Sequence, residues 1–289
     1  MAAIRIDGKA VSASVRENIG VAVAAFCEKT GVVPALAVVV VGSDPVSAVY
    51  VRNKQKACLA AGIRSEEYRL PEETTEEELL ALVSKLNADG TIHGILVQLP
   101  LPKHISEERI LSAIDPRKDV DAFHPENVGR IVAGKARFLP CTPAGVMELL
   151  SFYHIPTDGK ECVIVGRSNI VGKPLFHLML GANATVTVCH SHTKDLASVT
   201  RRADILVAAI GKAHFIGADM VKEGAVVIDV GINRLPDGKL AGDVDFDAVS
   251  EKASYITPVP GGVGVMTVTE LLKNTLTAAK IAVYGESLV

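Results

Sequence analysis

Strand-length apolar runs and helix-length segments take turns along almost all of this 289-residue chain, and that alternation restricts its fold more than any other feature. The spacing predicts helix over 9–29, strand 35–41, helix 46–61, a weaker strand 65–70, helix 76–88, strand 92–99 and helix 106–114. After a polar loop, DPRKDVDAFHPENVG (115–129), helix 144–153 opens a second series. That series comprises strand 162–165, helix 173–180, strand 185–189, helix 196–202, strand 205–210, a short helix at 218–222 and strand 226–230. A glycine-rich loop, PVPGGVGVM, then leads into a last helix, 268–283. Such alternation implies parallel strands covered by helices, an α/β fold. Two sheets are expected, divided at the Pro-rich FLPCTP (138–143). The first domain is 1–139, completed by the C-terminal helix 267–289. The second, 140–266, is a Rossmann-type dinucleotide-binding domain, with the active site expected in the interdomain cleft.

Composition removes several alternatives. A net charge of −3 gives no reason to expect a nucleic-acid or membrane partner. The five cysteines are scattered and never form CxxC, so structural zinc and a disulfide framework are not expected and a reducing cytoplasm is. MAAIRIDGKA carries charges where a secretory leader needs an apolar run. Apolar runs such as LAVVVVG (36–42) have strand length, and no bilayer-crossing segment is expected.

One residue is misplaced for a soluble helix. In DPVSAVYVRNKQKAC (44–58), Val46, Val49, Tyr50, Asn53, Lys54, Ala57 and Cys58 share one face, whereas Arg52 and Lys56 take the other. Lys54 is therefore on the apolar side, one turn after Tyr50. Burying an ammonium is costly unless it is paired or sheds its proton. The bland alternative is a lysine whose stem is buried and whose head reaches water.

The second series carries a cofactor signal. Strand 162–165 runs into GRSNIVG, in which Gly166, Arg167, Ser168 and Gly172 form a glycine turn opening a helix, where backbone N–H groups meet a pyrophosphate. The spacing is GxSxxxG rather than GxGxxG. The next strand ends in CHSHTK (189–194), with no carboxylate before Asp195 to bind a ribose 2′-hydroxyl. Arg167 and Ser191, with His190 or Lys194, suit a 2′-phosphate, which favours NADP. His190 and His192 have no suitably spaced cysteine or carboxylate, so no metal is expected.

Seven motifs in order resemble the bifunctional methylenetetrahydrofolate dehydrogenase/cyclohydrolase family. They are VGSDPVSAVYVRNKQKAC (41–58), GILVQLPLP (94–102), KDVDAFHPENVG (118–129), LPCTPAG (139–145), VIVGRSNIVGKP (163–174), DVGINR (229–234) and TPVPGGVGVMT (257–267). Two positions depart from the family pattern: Ala122, where DVDG is usual, and Val265, where PGGVGPMT has proline.

The resemblance implies two reactions on a folate substrate: NADP-dependent oxidation of 5,10-methylenetetrahydrofolate, and hydrolysis of the methenyl product to 10-formyltetrahydrofolate. It implies Lys54, Tyr50 and Gln98 as catalytic residues. Substrate contacts are implied at Tyr50, Lys54, Val97, Gln98, Leu99, Asp121, Pro260, Gly261, Gly262, Val263 and Gly264, and cofactor contacts at Gly166, Arg167, Ser168, Gly172, Ser191 and Ile232. One group able to lose and regain a proton near neutral pH can serve both halves of the hydrolysis. Gln98, a neutral amide, can orient Lys54 without fixing its charge. Asp121 can accept the N–H edge of a pterin, while Asp115 and Asp119 read as turn-closing residues. A homodimer, a cytoplasmic location and a place in purine biosynthesis are also implied. The alternatives are a monofunctional dehydrogenase, which the presence of Lys54 with Gln98 disfavours, another NADP oxidoreductase, and a non-catalytic dinucleotide sensor.

Overall fold

The structure is a computed structural model that describes residues 2–43 and 45–286; nothing is assigned to the side chains of residues 45–49. The apolar-face expectation for Val46 and Val49 therefore lies outside the described residues. The elements begin with β1 (Ile4–Arg5), α1 (Gly8–Thr30), β2 (Ala35–Val41), α2 (Pro45–Ala60), β3 (Arg64–Leu70), α3 (Glu76–Ala88), β4 (Gly94–Val97), α4 (Glu107–Ala113) and α5 (Pro125–Val132). They continue with α6 (Cys141–Phe152), β5 (Glu161–Val165), α7 (Gly172–Gly181), β6 (Thr185–Cys189), α8 (Leu196–Thr200), β7 (Ile205–Ala208) and β8 (Val226–Asp229). The hairpin β9 (Asn233–Arg234) and β10 (Leu240–Ala241), then α9 (Phe246–Ser250), β11 (Tyr255–Ile256) and α10 (Val263–Tyr284) complete the chain.

Two compact units result. One combines Ser14–Leu139 with the residues from Val268 onward, the other the residues up to Ala13 with Pro140–Thr267. The sequence reading assigned the first thirteen residues to the other unit. β1 explains the difference: it pairs in parallel with β11, so the chain start belongs to the larger sheet.

The three-stranded unit has the parallel order β3-β2-β4. All seven residues of the central strand, ALAVVVV, are buried, which explains a continuous apolar run in place of an alternating one. The chain leaves β2 through α2 to β3 on one side, then crosses by α3 to β4 on the other. The carboxyl end of β2 is thus a topological switch point, where α/β proteins place ligands. α1 is long and apolar enough to cross a bilayer by length and composition, contrary to the expectation that no such segment exists. Its buried Val11, Ile19, Val23 and Phe26 recur at helical spacing, the pattern of a helix packed on a core.

The six-stranded unit has the order β1-β11-β8-β7-β5-β6, every pairing parallel. β5 lies between β6 and β7, so its carboxyl end is a second switch point. α10 starts at Val263, five residues before the predicted position, so Val263 and Gly264 belong to its first turn and the preceding loop ends at Gly262. Val265 falls in that same turn, where a proline's missing N–H costs little; valine and proline both suit it.

Candidate active site

α2 and β4 bring Lys54 and Gln98 together. The Lys54 side chain is buried, only 9% exposed, and its Nζ donates to Gln98 Oε1 at 2.9 Å. The amide cannot turn the other way at no cost, because Gln98 Nε2 donates to the Leu99 carbonyl at 2.7 Å. Gln98 N donates to Val39 O, so the residue is held by the sheet at the carboxyl end of β4. Its side chain both bonds the turn and accepts from Lys54. The amine is not the solvent-borne head of a snorkelling lysine. Tyr50 is half-buried one turn earlier on α2. Val97 is a core residue at 3% exposure, and Leu99 is half-buried against the same core.

Asp121 is delivered to the same sheet by a different route. Asp119 bridges Ile95 in parallel, and Ile95 N donates to Lys118 O, so the segment entering Asp121 runs beside β4 in the same direction. A tight turn follows, closed by Ala122 N donating to Asp119 O. Asp121 is half-buried in that turn. The neighbouring acids are occupied structurally. Asp115 pairs with Arg117, while Asp119, 1% exposed, accepts from His124 N and Asn127 Nδ2 at 2.8 and 2.9 Å. Burial pushes the Asp119 carboxyl up; the Asn127 and His124 donors oppose this, and the nearby Asp121 charge adds to it.

Ala122 accounts for one departure from the family pattern. Its φ is +58° and it is fully buried. The left-handed conformation costs an alanine roughly 1–2 kcal/mol. Glycine would forfeit a buried methyl worth about 0.8 kcal/mol and lose a further 0.4–1 kcal/mol to chain entropy, roughly. The effects nearly cancel, so alanine is tolerated here.

The remaining predicted residues belong to the six-stranded unit. Gly166 follows β5 with φ +130°, and a Cβ there would stand 2.2 Å from Ala209 O. A Cβ on Gly172 would stand 2.1 Å from Gly166 O. The turn therefore closes only on bare backbone, which suits a pyrophosphate at the start of α7. Ser168 Oγ accepts from Val171 N and Gly172 N at 3.2 and 3.4 Å. Arg167 and Ser191 are exposed. β6 ends at buried Cys189, and Asp195 caps α8 by accepting from Ser198 N, so no carboxylate is left at the strand end to select a 2′-hydroxyl. These residues fit a 2′-phosphorylated dinucleotide. Ile232 is 43% exposed, so it is not a core residue, and Gly264 leaves room for it: a Cβ there would meet Ile232 Cδ1 at 2.9 Å. Pro260 is exposed, Gly261 and Gly262 are buried, and Val263 is 2% exposed in the core.

Two buried acids escaped the sequence reading. Asp229 accepts from Gly231 N, Asp243 N and Val244 N, each at 2.9 Å. Asp243 accepts from Ile210 N, Gly211 N, Lys212 N and Asn233 Nδ2. Together they tie down the loops after β7 and β8, including the one that carries Ile232. Burial raises the Asp229 carboxyl to about 6; the Val244, Asp243 and Gly231 donors oppose this, and the Asp243 charge adds to it. A folded value above the ordinary 3.8 means its contribution is fully present below about pH 4 and is lost as pH rises through about 6. The loss is on the order of 3 kcal/mol. Urea unfolding of the wild type and Asp229→Asn from pH 4 to 7 should show the wild type's advantage shrinking as pH rises. An advantage that grows would mean the three donors outweigh burial.

A parallel sheet with a glycine turn at its switch point, and a second sheet carrying a buried lysine–amide pair, define a dinucleotide-binding α/β enzyme. Residues 6–121 match the catalytic domain of tetrahydrofolate dehydrogenase/cyclohydrolase, and residues 140–283 match the NAD(P)-binding domain of the same family. The chain is 60% identical over 275 residues to the bifunctional protein FolD of Agathobacter rectalis, covering 95% of this chain and 98% of that one. The crystal structure of the bifunctional FolD methylenetetrahydrofolate dehydrogenase/cyclohydrolase from Campylobacter jejuni is 53% identical, with a TM-score of 0.94 over 96% of this chain and 99% of that one. The Trypanosoma brucei enzyme, solved with NADP cofactor and inhibitor, is 41% identical, with a TM-score of 0.94 over 98% and 99%. The chain belongs to the tetrahydrofolate dehydrogenase/cyclohydrolase family.

Proposed function

We propose that the protein oxidises 5,10-methylenetetrahydrofolate with NADP⁺ and hydrolyses the resulting 5,10-methenyl cation to 10-formyltetrahydrofolate, with Lys54 moving the protons of the second reaction. The observation that carries this reading is the buried Lys54–Gln98 pair, 2.9 Å apart, in a member of this family. Both activities, not the dehydrogenase alone, are expected of it.

Bound NADP⁺ would supply the hydride acceptor for the methylene carbon. Gly166, Ser168 and Gly172 would hold the pyrophosphate, Arg167 and Ser191 would hold the 2′-phosphate, and Ile232 would face the nicotinamide. Tyr50 packs beside the pterin, and Asp121 accepts its N–H edge. Val97 and Leu99 line the same folate site. In hydrolysis Lys54 takes a proton from the attacking water and then delivers it to the leaving ring nitrogen. Gln98 keeps the amine pointed at the reacting carbon throughout.

Mixing the protein with NADP⁺ and methylenetetrahydrofolate should give NADPH and 10-formyltetrahydrofolate together. NADPH without the formyl product would support a monofunctional enzyme, and neither product a sensor. Arg167→Ala should raise the KM for NADP⁺ by about tenfold or more while changing that for NAD⁺ less than about twofold. Equal losses would remove Arg167 from the 2′-phosphate site.

A homodimer through the six-stranded unit is part of the same proposal. β6 is an edge strand with Val186 and Val188 only half-buried, and such edges are normally covered. Light scattering tests it. A cytoplasmic location and supply of formyl groups for purine biosynthesis are proposed with it.

A further inference from the structure

Asp121 is held from one side by a residue distant in sequence. Asn274, on α10 and 7% exposed, donates through Nδ2 to Val120 O and to Leu139 O, both at 2.8 Å. The Val120 carbonyl belongs to the peptide whose nitrogen is that of Asp121. Fixing this carbonyl fixes the peptide plane entering Asp121 and, together with the Ala122 N to Asp119 O bond that closes the turn beyond it, restricts the direction in which the Asp121 Cα–Cβ bond leaves the chain. Val120 cannot swing to compensate. Its side chain is fully buried over Gly94, where a Cβ would stand 2.7 Å from Val120 Cγ1. On the far side of the turn, Asp119 Oδ2 holds His124 N. The turn is thus tied down before and after Asp121, and Asn274 supplies the tie that comes from the C-terminal helix.

We propose that Asn274 is a positioning residue for the folate: it aims the Asp121 carboxylate at the pterin without touching substrate. The inference rests on the reading of Asp121 as the pterin's acceptor. It also gives the middle of α10, beyond its first turn, a task in substrate recognition.

The test is a double-mutant cycle on the full-length protein, with Asn274→Ala and Asp121→Ala alone and combined, read as KM for methylenetetrahydrofolate, KM for NADP⁺ and dehydrogenase kcat. Asn274→Ala should raise the folate KM about tenfold, the equivalent of roughly one buried hydrogen bond, and shift kcat and the NADP⁺ KM less than about twofold. In the Asp121→Ala background it should add less than about twofold. Asn274→Ser, which keeps one donor, should fall between the wild type and Asn274→Ala, and it carries the test if the alanine variant does not fold. If Asp121→Ala leaves the folate KM unchanged, the reading of Asp121 fails and this inference falls with it. If Asp121→Ala raises that KM but Asn274→Ala does not, or raises it equally in both backgrounds, only the positioning role is overturned. A parallel rise in both KM values would make Asn274 a structural residue.

Discussion

Methionine in place of Lys54 should lower hydrolysis of methenyltetrahydrofolate by about 10²–10⁴-fold or more, the usual worth of a positioned proton carrier. Methionine matches the lysine stem in length and suits a buried position, so the fold should survive. What is lost is the amine that donates to Gln98 Oε1 at 2.9 Å. Hydride transfer moves no proton through that amine, so NADP⁺ reduction should fall far less. Stopped-flow absorbance on preformed methenyltetrahydrofolate, beside the uncatalysed rate, gives the comparison. Small and equal losses in both reactions would make Lys54 a packing residue.

Alanine at Gly166 should do the reverse. Its Cβ would be placed 2.2 Å from Ala209 O, on a backbone at φ +130° that side chains rarely adopt. Strain of this kind costs on the order of 3 kcal/mol or more, and it falls on the turn that holds the pyrophosphate. The dehydrogenase kcat/KM for NADP⁺ should drop by about 100-fold or more. Hydrolysis of preformed methenyltetrahydrofolate should persist, because Lys54, Gln98 and Asp121 belong to the other unit. Gly181→Ala is the control, since a Cβ there meets nothing within 4 Å. A normal NADP⁺ KM in Gly166→Ala would refute the cradle.

Much of this architecture could be read from residue order. The run ALAVVVV has no polar alternation because β2 is covered on both faces, and that pattern announces a parallel sheet. α5 was hidden because Pro125 looks like a break; it stands instead at the first helical position, with His124 Nδ1 accepting from Glu126 N. β1 and β11 hold two residues each, too short for any periodicity to register. The Lys54 anomaly was visible on a helical wheel, but its partner lies 44 residues away and is set by sheet order. Asp229 and Asp243 look like ordinary loop acids, since only the folded chain shows the seven donors that converge on them. The positive φ of Ala122 is likewise a property of the turn rather than of its composition.

The proton-carrier claim meets its most direct test in one cuvette. Lys54→Met is mixed with NADP⁺ and methylenetetrahydrofolate while NADPH and methenyl absorbance are followed together. The account predicts that the methenyl signal accumulates in step with NADPH and decays only at the uncatalysed rate, whereas in the wild type it is cleared as it forms. A variant that produces NADPH and clears the methenyl signal as fast as the wild type would contradict it.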